Sequence, residues 1–267
     1  MASTTPKLTV YRGADTPTQH VWSPFVTKLE ARLRFAGVPY TPAAGSPNSA
    51  PKGKIPYVDV AAPGSGSSSS TTQLSDSTLI INALTAQDVL PDLNAKLSPA
   101  ARTQDLALRA LLEEKLYFYS GRERWQDNYP TMRDHTLSAI PYPLRLLIGL
   151  LISRTMTATL HGQGTGRFSD AEVRVLRDEV YAGLNDLLLT SRTHAKGGSS
   201  STEAPFWALG GAEPTEADAT LYGFIVSALI CTAGPESQKI VRTHPAILDY
   251  ADRIHKTYFS DYEKWEI

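Results

Sequence analysis

Three short stretches of this 267-residue chain combine residue types and positions that could do chemistry. In the first, Ser23 precedes Pro24 and Phe25, which is the form of a helix start. Unpaired N–H groups and the helix dipole favour an anion there, and a thiolate is such an anion. The Ser23 hydroxyl could donate a hydrogen bond to a sulfur and hold it ionised, by the physics that lowers cysteine pKa values at helix starts. The same residue could equally be an ordinary cap. In the second stretch, Lys54-Ile55-Pro56-Tyr57 sets a proline at the entrance to a strand. A cis bond would turn the chain and expose the Ile55 backbone to a peptide-like ligand, whereas a trans bond would leave an ordinary loop. In the third, Asp76-Ser77 stands where a strand meets a helix. Asp76 could take a ligand's amine while Ser77 and the helix N–H groups take its carboxylate, or the pair could simply cap.

The elements around these residues can be read from spacing. Leu8 to Tyr11 has the β-branched and aromatic character of a strand, and a Gly/Asp/Thr/Pro-rich loop from Gly13 to Thr18 follows it. Phe25, Leu29, Leu33 and Ala36 recur at helical spacing until Gly37 and Pro39 end that helix. Tyr40-Thr41 starts a second strand and Tyr57 to Val60 forms a third. From Ala62 to Thr72 the chain is almost entirely small and polar, so a mobile hairpin connection is expected. Thr72-Gln73-Leu74 returns as a strand, and Ile80, Ile81 and Leu84 share a helical face. Residues 1–90 thus read as an α/β domain.

Residues 91–267 read as all helical. Ser98-Pro99 opens a helix with Leu108, Leu111, Leu112, Leu116 and Tyr119 on one stripe, and Ser169 with Glu172 forms a capping box before another. Thr215 and Asp218 start a third helix, and Pro245 opens a fourth. A second Gly/Ser-rich insertion, His194 to Glu203, separates two of them.

Composition narrows the function classes. A 42% apolar and 20% charged chain with net charge −1 has material for a core and no field to attract a polyanion, so nucleic acid is a poor partner. Cys231 is the single cysteine, which excludes an intramolecular disulfide and a multi-thiolate zinc site. Its apolar neighbours mark it as inert rather than nucleophilic. No metal-ligand spacing links the six histidines, and Gly162 to Gly166 lacks the strand that a phosphate loop needs. The N-terminus shows no secretory pattern, so a reducing, cytoplasmic setting is expected. Leu144 to Ile152 is too short for a membrane span and is expected to be a packed helix. Tyr117, Tyr119 and Trp125 either line an apolar pocket or fill the interhelical core.

Taken in order, Ser23-Pro24-Phe25, Lys54-Ile55-Pro56-Tyr57-Val58, Leu74-Ser75-Asp76-Ser77 and Pro214 to Thr220 resemble the glutathione transferase superfamily over nearly the whole chain. Ser23 to Leu33, Pro51 to Val58, Arg124-Trp125, His161 to Arg167 and Thr215 to Phe224 are similar to the branch of failed-axon-connections proteins, metaxins and related fungal transferases. The resemblance implies a thioredoxin-like N-terminal domain followed by an all-helical C-terminal domain. It implies glutathione as co-substrate or cofactor, a small hydrophobic electrophile as partner, no stable membrane span, and room for a homodimer. Ser23 takes the position of the catalytic Ser or Cys and Pro56 that of the cis-proline. The Ile55 backbone pairs with the cysteinyl part of glutathione, Lys54 reaches its glycyl carboxylate, and Asp76 with Ser77 grips its γ-glutamyl end. Thr215 and Asp218 take the place of the capping box that nucleates the helical domain.

Tyr11 is a second catalytic candidate, because other transferase classes hold the thiolate with a tyrosine near the end of the first strand. Thiol activation for attack on an electrophile is the leading function, in detoxification or secondary metabolism. The alternatives are a glutathione-dependent isomerase or eliminase of a secondary metabolite, a non-catalytic ligand binder, and a metaxin-like interaction protein. The Gly13 to Thr18 loop, the Ala62 to Thr72 stretch and the Ser-rich break at 197–202 depart from the family pattern.

Overall fold

The computed structural model describes residues 6–14, 16–61, 71–196 and 203–266. Alternation decides the first strand, β1 (Lys7–Tyr11): Leu8 and Val10 are buried and the residues between them face the other way. The chain then forms α1 (Pro24–Phe35), β2 (Thr41–Ala43), β3 (Tyr57–Ala61), β4 (Thr71–Ser75) and α2 (Ser77–Ala86). The strand order is β2-β1-β3-β4, with β2 parallel to β1 and the other pairs antiparallel. Leu8, Val10 and Val58 of this sheet pack against Leu29 and Leu33 of α1 and Ile80, Ile81 and Leu84 of α2. This is the expected thioredoxin-like arrangement. Thr71 and Thr72 belong to β4; the rest of the stretch expected to be a mobile connection lies outside the described residues, as do Asp15 of the first loop and residues 197–202.

Helices make up the remainder: α3 (Pro99–Leu111), α4 (Tyr117–Arg122), α5 (Tyr129–Thr136), α6 (Tyr142–Gln163), α7 (Asp170–Lys196), α8 (Glu216–Ile230), α9 (Pro235–Thr243) and α10 (Pro245–Tyr258). Two π-helical turns, Leu112–Leu116 and Glu123–Asp127, interrupt the run from α3 to α5. The expected caps form. Ser98 accepts from the Ala101 N–H at 3.2 Å, and Ser169 and Glu172 bond reciprocally at 2.7 and 3.3 Å. Tyr119 and Trp125 are buried as core, while Tyr117 is half-buried against it.

The apolar run expected to be a packed helix is a correction. It lies in α6, of which only Gly149 and Leu160 are buried, while Leu144, Leu146, Leu147, Leu150 and Leu151 are exposed. By length and composition alone α6 is the one helix among the described residues long and apolar enough to cross a membrane. Periodicity could not foresee this exposure, because a continuous apolar run reads the same whether or not neighbours cover it.

What matters for the site is how α1 is held. It lies between the sheet and α8, and Gly223 lets the two helices touch: a Cβ there would collide with the Pro24 carbonyl and come within 2.8 Å of the Lys28 N–H nitrogen. Two ion pairs, Lys28–Glu113 and Arg32–Glu216, each at 2.6 Å, tie the buried side chains of α1 to the helical half. Removing one partner would strand a buried charge, so these pairs fix the alignment of α1 more than they add net stability.

Candidate active site

Register brings the sequence-predicted residues to one end of the sheet. Tyr11 at the end of β1 pairs with Tyr57 at the start of β3, which pairs with Ser75 at the end of β4. Ile55-Pro56 therefore enters, and Asp76-Ser77 leaves, at the edge from which the chain runs on toward α1. The Lys28 ammonium donates to the Thr78 hydroxyl at 2.7 Å, which ties α1 to the first turn of α2.

The loop that delivers the chain to α1 is fixed by Arg12, a residue to which no spacing or motif in the sequence points. Fully buried, Arg12 pairs with Glu30 at 2.8 Å and donates to the carbonyls of Thr16, at 2.5 Å, and Gln19. Gly13 has φ of +92°, a conformation that favours glycine, and a Cβ there would stand 2.7 Å from Ile55 Cδ1 and push that side chain aside.

At the end of this loop Ser23 is extended, with φ −77° and ψ 116°, and half-buried. Its carbonyl accepts from the Thr27 N–H at 3.4 Å, but its hydroxyl makes no capping bond, and neither that hydroxyl nor its N–H has a partner among the described residues. The preceding carbonyl, of Trp22, accepts from Ser227 Oγ at 2.5 Å and Arg124 Nη1 at 3.2 Å. Around this helix start the Trp22 ring stacks on His135, with centroids 3.5 Å apart, and Phe25 meets Tyr117 and Phe224 at 5.1 and 5.8 Å.

Tyr11 is differently placed. Its phenol donates to Asp59 Oδ2 at 2.9 Å, and its ring stacks on Tyr57 with centroids 4.3 Å apart. The hydrogen bond to Asp59, followed by burial, pushes its pKa above the ordinary tyrosine value.

The Ile55–Pro56 peptide is cis, as expected. The N–H and C=O of half-buried Ile55 have no partner among the described residues, and neither does the ammonium of exposed Lys54. Asp76 has φ of +77° and caps α2: its Oδ1 accepts from the N–H groups of Thr78 at 3.1 Å and Leu79 at 3.2 Å. Its Oδ2 is left over. Ser77 is buried, and its hydroxyl makes no hydrogen bond among the described residues. Elsewhere, Cys231 is buried, and burial pushes its thiol pKa up.

Residues 24–132 match the family described as Glutathione S-transferase N-terminal domain. An isoprene-epoxide–glutathione S-transferase of Rhodococcus sp. (strain AD45) is 30% identical over 250 residues, covering 88% of this chain and 92% of that relative. The chain belongs to the glutathione S-transferase family. Glutathione is the co-substrate of that family. Among solved structures, glutathione transferase GSTFuA3 from Phanerochaete chrysosporium superposes with a TM-score of 0.55 at 16% identity, covering 98% of this chain and 99% of that one. A glutathione S-transferase from Rhodospirillum rubrum F11 gives 0.52 at 15% identity, with 93% and 87% covered. These two likenesses show the transferase fold. The family match begins at Pro24, one residue past Ser23.

Proposed function

We propose that this transferase ionises the thiol of glutathione at Ser23 and directs the sulfur at a small hydrophobic electrophile. One observation carries the reading: at the start of α1 the Ser23 hydroxyl is free of any capping bond, whereas the Tyr11 phenol is already committed to Asp59. A directed donor stabilises a thiolate more than a neutral thiol, and that difference lowers the pKa. The unpartnered groups suit the rest of a tripeptide. Ile55 offers one N–H and one C=O to the cysteinyl unit, Lys54 a cation to the glycyl carboxylate, and Asp76 Oδ2 and the Ser77 hydroxyl an acceptor and a donor to the γ-glutamyl end.

For the second substrate, the isoprene-epoxide relative supports a small epoxide. The thiolate would form a C–S bond to an epoxide carbon, the C–O bond would break, and the alkoxide would take a proton from water. The product is a hydroxy thioether. Trp22, Phe25, Tyr117 and His135 are aromatic groups around α1's start that could seat the electrophile. A division at residues 90 and 91, a cytoplasmic setting, homodimerisation and a place in the failed-axon-connections branch belong to the same proposal. The test is glutathione consumption with a panel of small epoxides and aryl halides. Turnover with at least one is expected, and glutathione binding without turnover across the panel would replace the enzyme by a binding protein.

A further inference from the structure

Arg124 is buried on the π-helical turn Glu123–Asp127, and none of the ion pairs among the described residues includes it. Its neighbour Glu123 is committed elsewhere: to Arg177 at 2.9 Å, to the Ser237 hydroxyl at 2.5 Å and to the Glu236 N–H at 2.7 Å. A desolvated cation without a carboxylate is expensive to keep, so its position calls for an explanation. Its hydrogen bonds supply one. Nη2 reaches the Ser227 carbonyl at 3.3 Å and hydroxyl at 3.1 Å, and Nη1 reaches the Trp22 carbonyl at 3.2 Å. Ser227 in turn donates to the same Trp22 carbonyl at 2.5 Å.

That carbonyl belongs to the peptide whose other end is the Ser23 N–H. We infer that Arg124 is a positioning residue of the active site: with Ser227 it clamps and polarises the Trp22–Ser23 peptide, so that the Ser23 N–H joins the hydroxyl as a second donor to the glutathione sulfur. The inference rests on the Ser23 reading above. Two donors to one carbonyl, one of them cationic, draw electron density toward its oxygen and strengthen the N–H on the far side as a donor. They also hold the peptide so that this N–H remains unpaired. A π-turn in this place is in keeping with its role, since such turns cluster at functional sites.

Other titratable groups feel the same cation. Tyr117 on α4, Tyr181 on α7 and Cys231 beyond α8 have their pKa values pushed up by burial, with Arg124 opposing the rise; His135, stacked on Trp22, is pushed down by burial alone. None of them donates to the Trp22 carbonyl, so Ser227→Ala removes one donor of the clamp while the cation stays in place.

The experiment measures thiolate absorbance of bound glutathione and conjugation rate from pH 5.5 to about pH 9.5, a range bracketing the ordinary thiol pKa. It compares wild type, Arg124→Gln, Ser227→Ala and Ser23→Ala, each checked for folding by circular dichroism. Arg124→Gln should raise the thiol pKa by about one unit, slow turnover about tenfold at neutral pH and recover at alkaline pH, with the KM for glutathione changed less than about threefold. Ser227→Ala should shift the profile the same way by a smaller amount, and it decides the matter if Arg124→Gln does not fold. A purely structural arginine would lower the rate equally at every pH. That result, or an unshifted profile in the folded variants while Ser23→Ala still shifts it, overturns this inference and leaves the Ser23 reading standing. A wild type that leaves the glutathione thiol at its solution pKa overturns both.

Discussion

The starts of α1 and α8 carry similar signals in sequence and do opposite things in the fold. At α8, buried Asp218 accepts from the N–H groups of Ala208 and Thr215 at 2.7 and 2.8 Å, from the Thr215 hydroxyl at 2.9 Å and from the Tyr250 phenol at 2.8 Å. Every oxygen is engaged. At α1, Ser23 bonds through its backbone carbonyl only. A helix start whose polar side chains are satisfied within the chain builds the fold, and one whose side chain is left over is available to a ligand. Asp76 at α2 sits between the two, with one oxygen capping and the other free. The contrast can be broken by substitution.

The largest effect is expected at α8. Asp218→Ala strands several buried donors and should cost about 3 kcal/mol or more in urea unfolding. A loss below about 1 kcal/mol would mean that the network is not the nucleus it looks like.

Next is acid. His20, three residues before Ser23, is half-buried among Tyr222, His255, Phe259, Tyr262 and Trp265, and desolvation followed by repulsion from His255, Arg12 and Arg34 pushes its pKa down to about 3. The native state keeps it neutral while the unfolded chain protonates it near its ordinary value of about 6.5, so stability should fall as pH drops below that value. By pH 5 the loss is about 2 kcal/mol, with His255, also pushed down by burial, adding in the same direction. His20→Leu should remove most of this acid sensitivity. Equal sensitivity in the variant would assign it to other groups.

Asp76 divides the two roles. Asp76→Ala should cost about 1 kcal/mol through the lost cap and also weaken glutathione binding. Asp76→Asn keeps an acceptor, and asparagine tolerates the positive φ, so it should hold stability while raising the glutathione KM about tenfold. The smallest stability effect belongs to Ser23→Ala, within about 0.5 kcal/mol, because the hydroxyl caps nothing. A loss of 1 kcal/mol or more would make Ser23 an ordinary cap after all.

Much of this was legible in the sequence because it is local. Ser23-Pro24, Ile55-Pro56 and Asp76-Ser77 announce helix starts and a turn through residues next to one another. What the sequence hid is long-range. Arg124 meets the Trp22 carbonyl across 102 residues and Ser227 across 103, and no periodicity records such a meeting. Arg12 and Glu30 are likewise joined only by the fold. The exposed leucines of α6 show the converse: composition states that a run is apolar, and only packing states which side of it is covered.

The most direct test of Ser23 as the thiolate donor is the pKa of the glutathione thiol bound to wild type, to Ser23→Ala and to Tyr11→Phe, read from thiolate absorbance against pH. Wild type is expected to show a value below the ordinary thiol value of about 8.5, with a rise of about one to two units in Ser23→Ala and little change in Tyr11→Phe. An unchanged value in Ser23→Ala together with a rise in Tyr11→Phe would contradict that role and make Tyr11 the donor.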